Sequence, residues 1–298
     1  MKLSSKDHIV NRLRINTLSI ESLKKFVNTN IISSEGIDIA WIGHAGFIIR
    51  FNHKTYLIDP YLSNSLAKKY KGTAIPHTRL MEIPIFPKDF NNVNNVFSTH
   101  SHPDHMDSQT ISSFSQYFPE CKFIVPAAEI EQAIAHGISK SQLLPINADQ
   151  SINLDTRVDV TAIPSAHKSF KINERWEHSY LGYILHIDGV NIYHSGGCVP
   201  YDGLTEKIRK IGVDLALLPI SGRSTSSKEL EIADNFTVTE ALDLCEEANI
   251  KNLIVHHFEM FSHNTVSIEH LTELESISSE SFRIIIPKIN RVYQLIKR

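Results

Sequence analysis

The chain has 298 residues, a net charge of −3 and three cysteines, Cys121, Cys198 and Cys245. That length suits one large domain or two small ones, and the charge gives no reason to expect nucleic acid or an acidic membrane as partner. Widely spaced cysteines in odd number argue against a disulfide framework; no apolar stretch approaches a membrane span, and residues 1–8 lack the apolar core of a secretory signal, which points to a cytoplasmic protein.

Residues 1–35 differ from the rest. Leu18, Leu23, Phe26 and Val27 fall at helical spacing, which predicts an amphipathic helical extension. It packs on the main domain or on a second subunit, leaving a homo-oligomer open. From residue 36 to 298 the pattern is that of a single domain. Short alternating runs at 37–42, 47–51 and 55–58, separated by Gly- and Asn-containing turns, predict a meander of strands. The segment 60–92 carries Pro76, Pro84 and Pro87 and predicts a long irregular loop; a loop of this length in a compact domain is usually functional, here an active-site rim. Strand signals follow at 95–98, 122–125, 157–163, 181–187, 190–194, 214–218, 252–255 and 283–286. Helical signals lie near 107–117, 127–136, 203–210, 239–248 and 267–279. Strands then helices, repeated in the second half, predict an α/β fold of two mixed sheets face to face with helices outside.

Sixteen histidines are far above the usual share and need a reason. Four ligand-type residues crowd into Thr99-His100-Ser101-His102-Pro103-Asp104-His105, in the turn that leaves a short buried strand. Asp107 or Ser108 is a good N-cap for the next helix. A tight turn points alternate side chains at two adjacent points, so one segment can serve two metal ions. His167, His194, His256 and His257 follow predicted strands, whose ends converge on one rim of a sheet. Imidazole and carboxylate donors suit zinc, manganese or iron.

At these residues the chain resembles the metallo-β-lactamase superfamily, from about residue 36 onward. Within it the chain looks most like the L-ascorbate-6-phosphate lactonase family, on Trp41-Ile-Gly-His-Ala45, Leu57-Ile-Asp-Pro-Tyr61, Tyr193-His-Ser-Gly196, 217–223 and His257-Phe-Glu-Met-Phe261. The resemblance implies a four-layer αββα sandwich and one or two divalent ions, zinc or manganese. His100, His102 and His167 would hold the first, and Asp104, His105 and His257 the second. His257 is preferred to His256 because Glu259 and Phe261 follow it at the family's spacing, and because strand alternation puts the two on opposite faces. Where the family has a metal-bridging aspartate, this chain has Gly197, followed by Cys198. Cys198 replaces the aspartate, or the protein works with one metal, or the site is degenerate.

Other residues have two readings each. His44 and Asp59 support the ligands or line the pocket, or satisfy local turns. Arg223, and more weakly Arg79, clamps an anion or is a loop arginine. His178 faces the pocket or the surface, and His194 lines the pocket or fills the core. His8, His53, His77, His136, His186, His263 and His270 are expected not to be ligands. The implied activity is hydrolysis of a lactone or ester of a small anionic, sugar-phosphate-like substrate by a water activated at the metal, with Asp104 both ligating and accepting a proton. The alternatives are a phosphodiesterase or phospholipase-like hydrolase on the same site, and a non-catalytic binding or regulatory protein.

Overall fold

Runs of β-branched and aromatic residues that are apolar on both faces can be satisfied only inside layers. In the computed structural model, which describes residues 12–29, 36–223 and 234–298, such runs build two sheets. The first half supplies β1 (Leu13–Ser19), β2 (Ile37–Trp41), β3 (Phe47–Phe51), β4 (Lys54–Ile58), β5 (Asn95–Phe97), β6 (Lys122–Pro126) and β7 (Leu143–Ile146). With the last strand, β15 (Arg291–Lys297), they form an eight-stranded sheet in the order β1-β15-β2-β3-β4-β5-β6-β7. The second half supplies β8 (Ser151–Asp155), β9 (Val158–Pro164), β10 (Leu181–Ile187), β11 (Val190–His194), β12 (Leu215–Pro219), β13 (Asn252–His256) and β14 (Arg283–Ile285), in the order β14-β13-β12-β11-β10-β9-β8.

Trp41, Phe47, Tyr56 and Phe97 of the first sheet meet Ala162, Tyr183, Leu185 and Leu217 of the second in one core. The alternate residues Ala40, Ile48, Leu57 and Val96 face the other way and pack on helical Phe26, Ile111 and Phe114. On the far face of the second sheet lie Leu204, Ile208, Ala241 and Leu271. The four layers are therefore helix, sheet, sheet, helix, as expected from the order of elements.

Parallel neighbours need crossovers. α2 (Ser65–Lys69) lies in the long β4–β5 link, α3 (Ser108–Tyr117) joins β5 to β6, and α4 (Ile130–Ala135) joins β6 to β7. α5 (Leu204–Ile211), α6 (Val238–Glu247) and α7 (Ile268–Ile277) make the corresponding links in the second sheet. Asp107 does cap α3, its side chain accepting from Thr110 N. Parallel β4 and β5 end at one rim, and so do β11, β12 and β13.

The region ahead of residue 36 departs from the expectation of a purely helical extension. Residues Leu13–Ser19 form an edge strand antiparallel to β15, with Leu13 opposite Lys297. Leu18, expected on a helix, sits in that strand and is exposed. Its partner there, Val292, lies near the other end of the sequence, and no local pattern signals such a pairing. The helix itself is α1 (Leu23–Asn28), burying Leu23, Phe26 and Val27 and capped by Ser22. Residues 1–11, with His8, and 30–35 lie outside the described residues.

Arg50 ties α1 to the sheet. Its guanidinium donates to Phe26 O and to Thr29 O, and lies 5.0 Å from the Phe26 ring centroid. Replacing it leaves two carbonyls without a donor. We expect Arg50→Met to lower stability by about 1–3 kcal/mol in urea denaturation, and to raise protease cleavage beside α1.

Candidate metal centre

Asp59 closes β4 in the left-handed region (φ 44°), which turns its carboxylate inward toward the end of β5. It accepts from Thr99 N at 2.8 Å and Thr99 Oγ1 at 2.7 Å, pinning the start of the histidine-rich turn. His105 Nδ1 lies 2.7 Å from the same carboxylate, which can only accept, so Nδ1 is the donor and Nε2 is left free. Leu181 N donates to Thr99 O, and Tyr183 Oη to Ser98 O, binding the turn to the second sheet.

Two clusters of donor atoms result, each with its atoms within 4.8 Å of one another. The first is His100, His102 and His167; the second is His44, Asp104, His105 and His257. His167 and His100 face each other Nε2 to Nε2 at 3.1 Å. His167 Nδ1 donates to Asp234 O at 2.9 Å, and Ser221 Oγ lies 3.1 Å from His257 Nδ1. Thr99 Oγ1 stands 3.0 Å from His100 Nδ1. His257 follows β13 with φ 64°, and that twist separates it from His256. His256 instead stacks on His194, with centroids 4.7 Å apart.

Burial favours the neutral rings of His100, His167 and His257, each with a free lone pair, whereas His105 is drawn the other way by its carboxylates. Burial, reinforced by neighbouring His102, pushes His167 down to about 3. Burial likewise holds His100 and His257 well below the usual histidine range. For His105 burial acts the same way, but Asp59 and Asp104 outweigh it and hold the pKa above its ordinary value. Asp104 is opposed by burial, yet His105 and His44 keep its carboxyl well below the usual range. The imidazoles of His100, His105, His167 and His257, each met at Nδ1 by an outer partner, together with the Asp104 carboxylate, fit a divalent first-row ion. A cavity of about 420 Å³ opens onto both clusters.

A profile of the beta-lactamase superfamily domain matches residues 54–258. The chain belongs to that superfamily. It is 25% identical over 258 residues to a UPF0173 metal-dependent hydrolase of Pyrococcus furiosus, covering 85% of this chain and 96% of the relative. A metal-dependent hydrolase of Pyrobaculum neutrophilum is 26% identical over 204 residues, or 67% of this chain and 79% of the relative. An isothiocyanate hydrolase from Delia radicum gut bacteria superposes with a TM-score of 0.68 at 17% identity, covering 86% and 98% of the two chains; this likeness shows the fold.

The expectation that Cys198 replaces the aspartate as a ligand does not hold. Its thiol is fully buried among core residues, lies 3.3 Å from Val199 O and belongs to neither donor cluster. Burial raises its pKa, so it behaves as a small apolar residue rather than a thiolate ligand. Arg223, expected to clamp an anion, instead donates from Nη1 to both carboxylate oxygens of Glu240 of α6, at 2.8 and 2.9 Å, and does not line the cavity. Arg79 is bound by the carbonyls of Tyr61, Ser63 and Met81. His178 sits against Phe170, away from the cavity. His44 is not at the substrate face either; its Nε2 donates to Asp104 Oδ2 at 2.8 Å from behind. His194 is a satisfied core residue, donating to Ala45 O and accepting from Gly196 N.

The loop 60–92 does border the cavity, through Leu66, Tyr70, Ile75 and His77. His77 and His263, expected from sequence not to be ligands, belong to neither donor cluster but line the cavity, their ring centroids 4.4 Å apart. Tyr180, whose ring centroid lies 4.9 Å from that of His167, carried no sequence signal beyond its place before β10.

Replacing Asp59 with Asn exchanges an acceptor for a possible donor at His105. We expect a loss of about 10–100-fold in metal affinity, read by competition with a chromophoric chelator. Cys198→Ala is expected to leave metal content unchanged while costing about 0.5–3 kcal/mol of stability; loss of one metal equivalent on elemental analysis would reinstate the thiolate as a ligand.

Proposed function

We propose that the protein is a metal-dependent hydrolase acting on a carbonyl ester or lactone. The observation that carries this reading is the pair of donor clusters opening together onto one cavity. A divalent ion held by them would lower the pKa of a water and polarise the group under attack.

The chain's own residues do the positioning. His100, His102 and His167 would hold one ion, and Asp104, His105 and His257 the other. His44 fixes the orientation of Asp104 through one carboxylate oxygen, Oδ2. The carboxylate has further lone pairs, so Asp104 can ligate and also accept a proton from the attacking water. The relatives' description as metal-dependent hydrolases supports the coarse reaction class.

The wall of the cavity bears on the substrate. Leu66, Tyr70, Ile75 and Phe261 supply apolar surface, and His77 and His263 supply imidazole rings. Among the described lining residues there is no Lys or Arg. The anionic, sugar-phosphate-like substrate was implied by the lactonase resemblance, and Arg223, the candidate clamp for its anionic end, is held by Glu240. We therefore favour a compact ester or lactone with an apolar or planar group over a phosphorylated one.

Dialysis against a chelator is expected to abolish hydrolysis, and zinc or manganese to restore it. Asp104→Asn is expected to lower kcat by about 100-fold or more. The panel should set aryl esters and alkyl lactones beside phosphorylated lactones and phosphodiesters. Hydrolysis confined to the phosphodiesters would overturn the ester reading, and a metal-loaded protein inert on all four classes would overturn the enzyme reading.

A further inference from the structure

Gly197 stands where the superfamily resemblance calls for a bridging aspartate. The structure explains why no side chain is present. A Cβ built on Gly197 would lie 2.2 Å from His167 Cε1 and 2.9 Å from His167 Nε2. The ring of His167 occupies that space, and its Nδ1 bond to Asp234 O keeps it there.

The same point lies 3.1 Å from Asn235 Oδ1. Asn235 is fully buried, and its Oδ1 has no hydrogen-bond partner. Its Nδ2 is anchored, donating to Ser221 Oγ at 3.1 Å, and Ser221 Oγ in turn contacts His257 Nδ1 at 3.1 Å. The amide is thus oriented with its nitrogen toward the support of one donor cluster and its oxygen toward His167 of the other. A buried amide oxygen left without a partner calls for one that the protein itself does not provide. A carboxamide oxygen is a competent neutral ligand for a divalent ion, as a side-chain or backbone carbonyl is.

We propose that Asn235 Oδ1 is the oxygen donor that stands in for the missing aspartate, ligating a metal ion from the His167 side of the centre. The inference rests on the metal-dependent reading above. A neutral amide in place of a carboxylate leaves the centre one negative charge poorer. Gly197 is then a condition of the arrangement, because any side chain there expels His167 from its position.

Full-length protein and its Asn235→Ala and Asn235→Asp variants are stripped with chelator and reloaded with zinc, manganese or cobalt. Bound metal per chain, affinity by chelator competition and the cobalt absorption spectrum are then measured. We expect Asn235→Ala to lose at least about tenfold in affinity for one ion and to change the cobalt spectrum. We expect Asn235→Asp, which keeps the oxygen and adds charge, to bind as tightly as the wild type or more so. Wild-type affinity and spectrum in Asn235→Ala overturn the inference. So does an Asn235→Asp variant that binds metal more weakly than the wild type, and this variant decides the matter if Asn235→Ala does not fold. A wild-type chain that takes up no metal overturns the hydrolase reading as well, which separates the two failures.

Discussion

The buried carboxylate of Asp59 is the constraint on which the centre depends. It has no exposure to solvent, and it takes two bonds from Thr99 and one from His105. Burying a carboxylate without partners is costly, so those three bonds are all needed to keep it inside. They also do three positional tasks at once. They fix the exit of β5, they set the tautomer of His105, and they hold the histidine-rich turn against the sheet from which it departs. Cross-sheet bonds from Leu181 and Tyr183 to Thr99 and Ser98 then lock that turn to the opposite sheet. The two donor clusters can meet because the turn is held from both sides.

Backbone strain contributes to the same end. His44, Asp59 and His257 each leave a strand or turn with positive φ, a region that side-chain-bearing residues seldom adopt. In each case the twist turns a polar side chain out of the strand's alternation and into the centre. The bonds that hold them include His257 N to His44 O and Trp41 Nε1 to His44 O. The inter-sheet core beneath, with Trp41 stacked on Phe258 at 5.0 Å, keeps these strand ends from relaxing.

Much of this was legible in the sequence because it is written locally. The motif between residues 100 and 105 is compact, most strands carry their own β-branched runs, and Asp107 announces the start of α3. The strand-end positions of His167 and His257 follow from the same reasoning, since parallel strands bring their ends to one rim. What was not legible is non-local. β1 and β15 pair across almost the whole chain, and β7 and β8 are short and only half-buried, so neither shows a strong period. Arg223 looked free because its partner Glu240 lies 17 residues on, in the capping turn of α6. Cys198 looked like a ligand because sequence adjacency to Gly197 does not reveal which way a side chain points. His77 and His263 were expected only not to be ligands, and their place on the cavity wall, set by loops distant in sequence, was not legible.

The neighbours His256 and His257 show how much the direction of a side chain decides. Both are buried, and burial pushes both well below the usual histidine range. His256 keeps the strand's geometry and points into the core, where it lies flat on His194 and edge-on to Phe47. It serves there as a planar, uncharged ring. One residue later the positive φ of His257 sends an identical side chain into the centre, with Ser221 behind it and Asp104 and His105 beside it. Buried histidine therefore falls into two separate settings in this chain, core packing and the candidate donor clusters. The outer nitrogens of His105, His167 and His257 each meet a partner, Asp59, Asp234 O and Ser221, so rings in both clusters are oriented from outside while the position between them is Gly197.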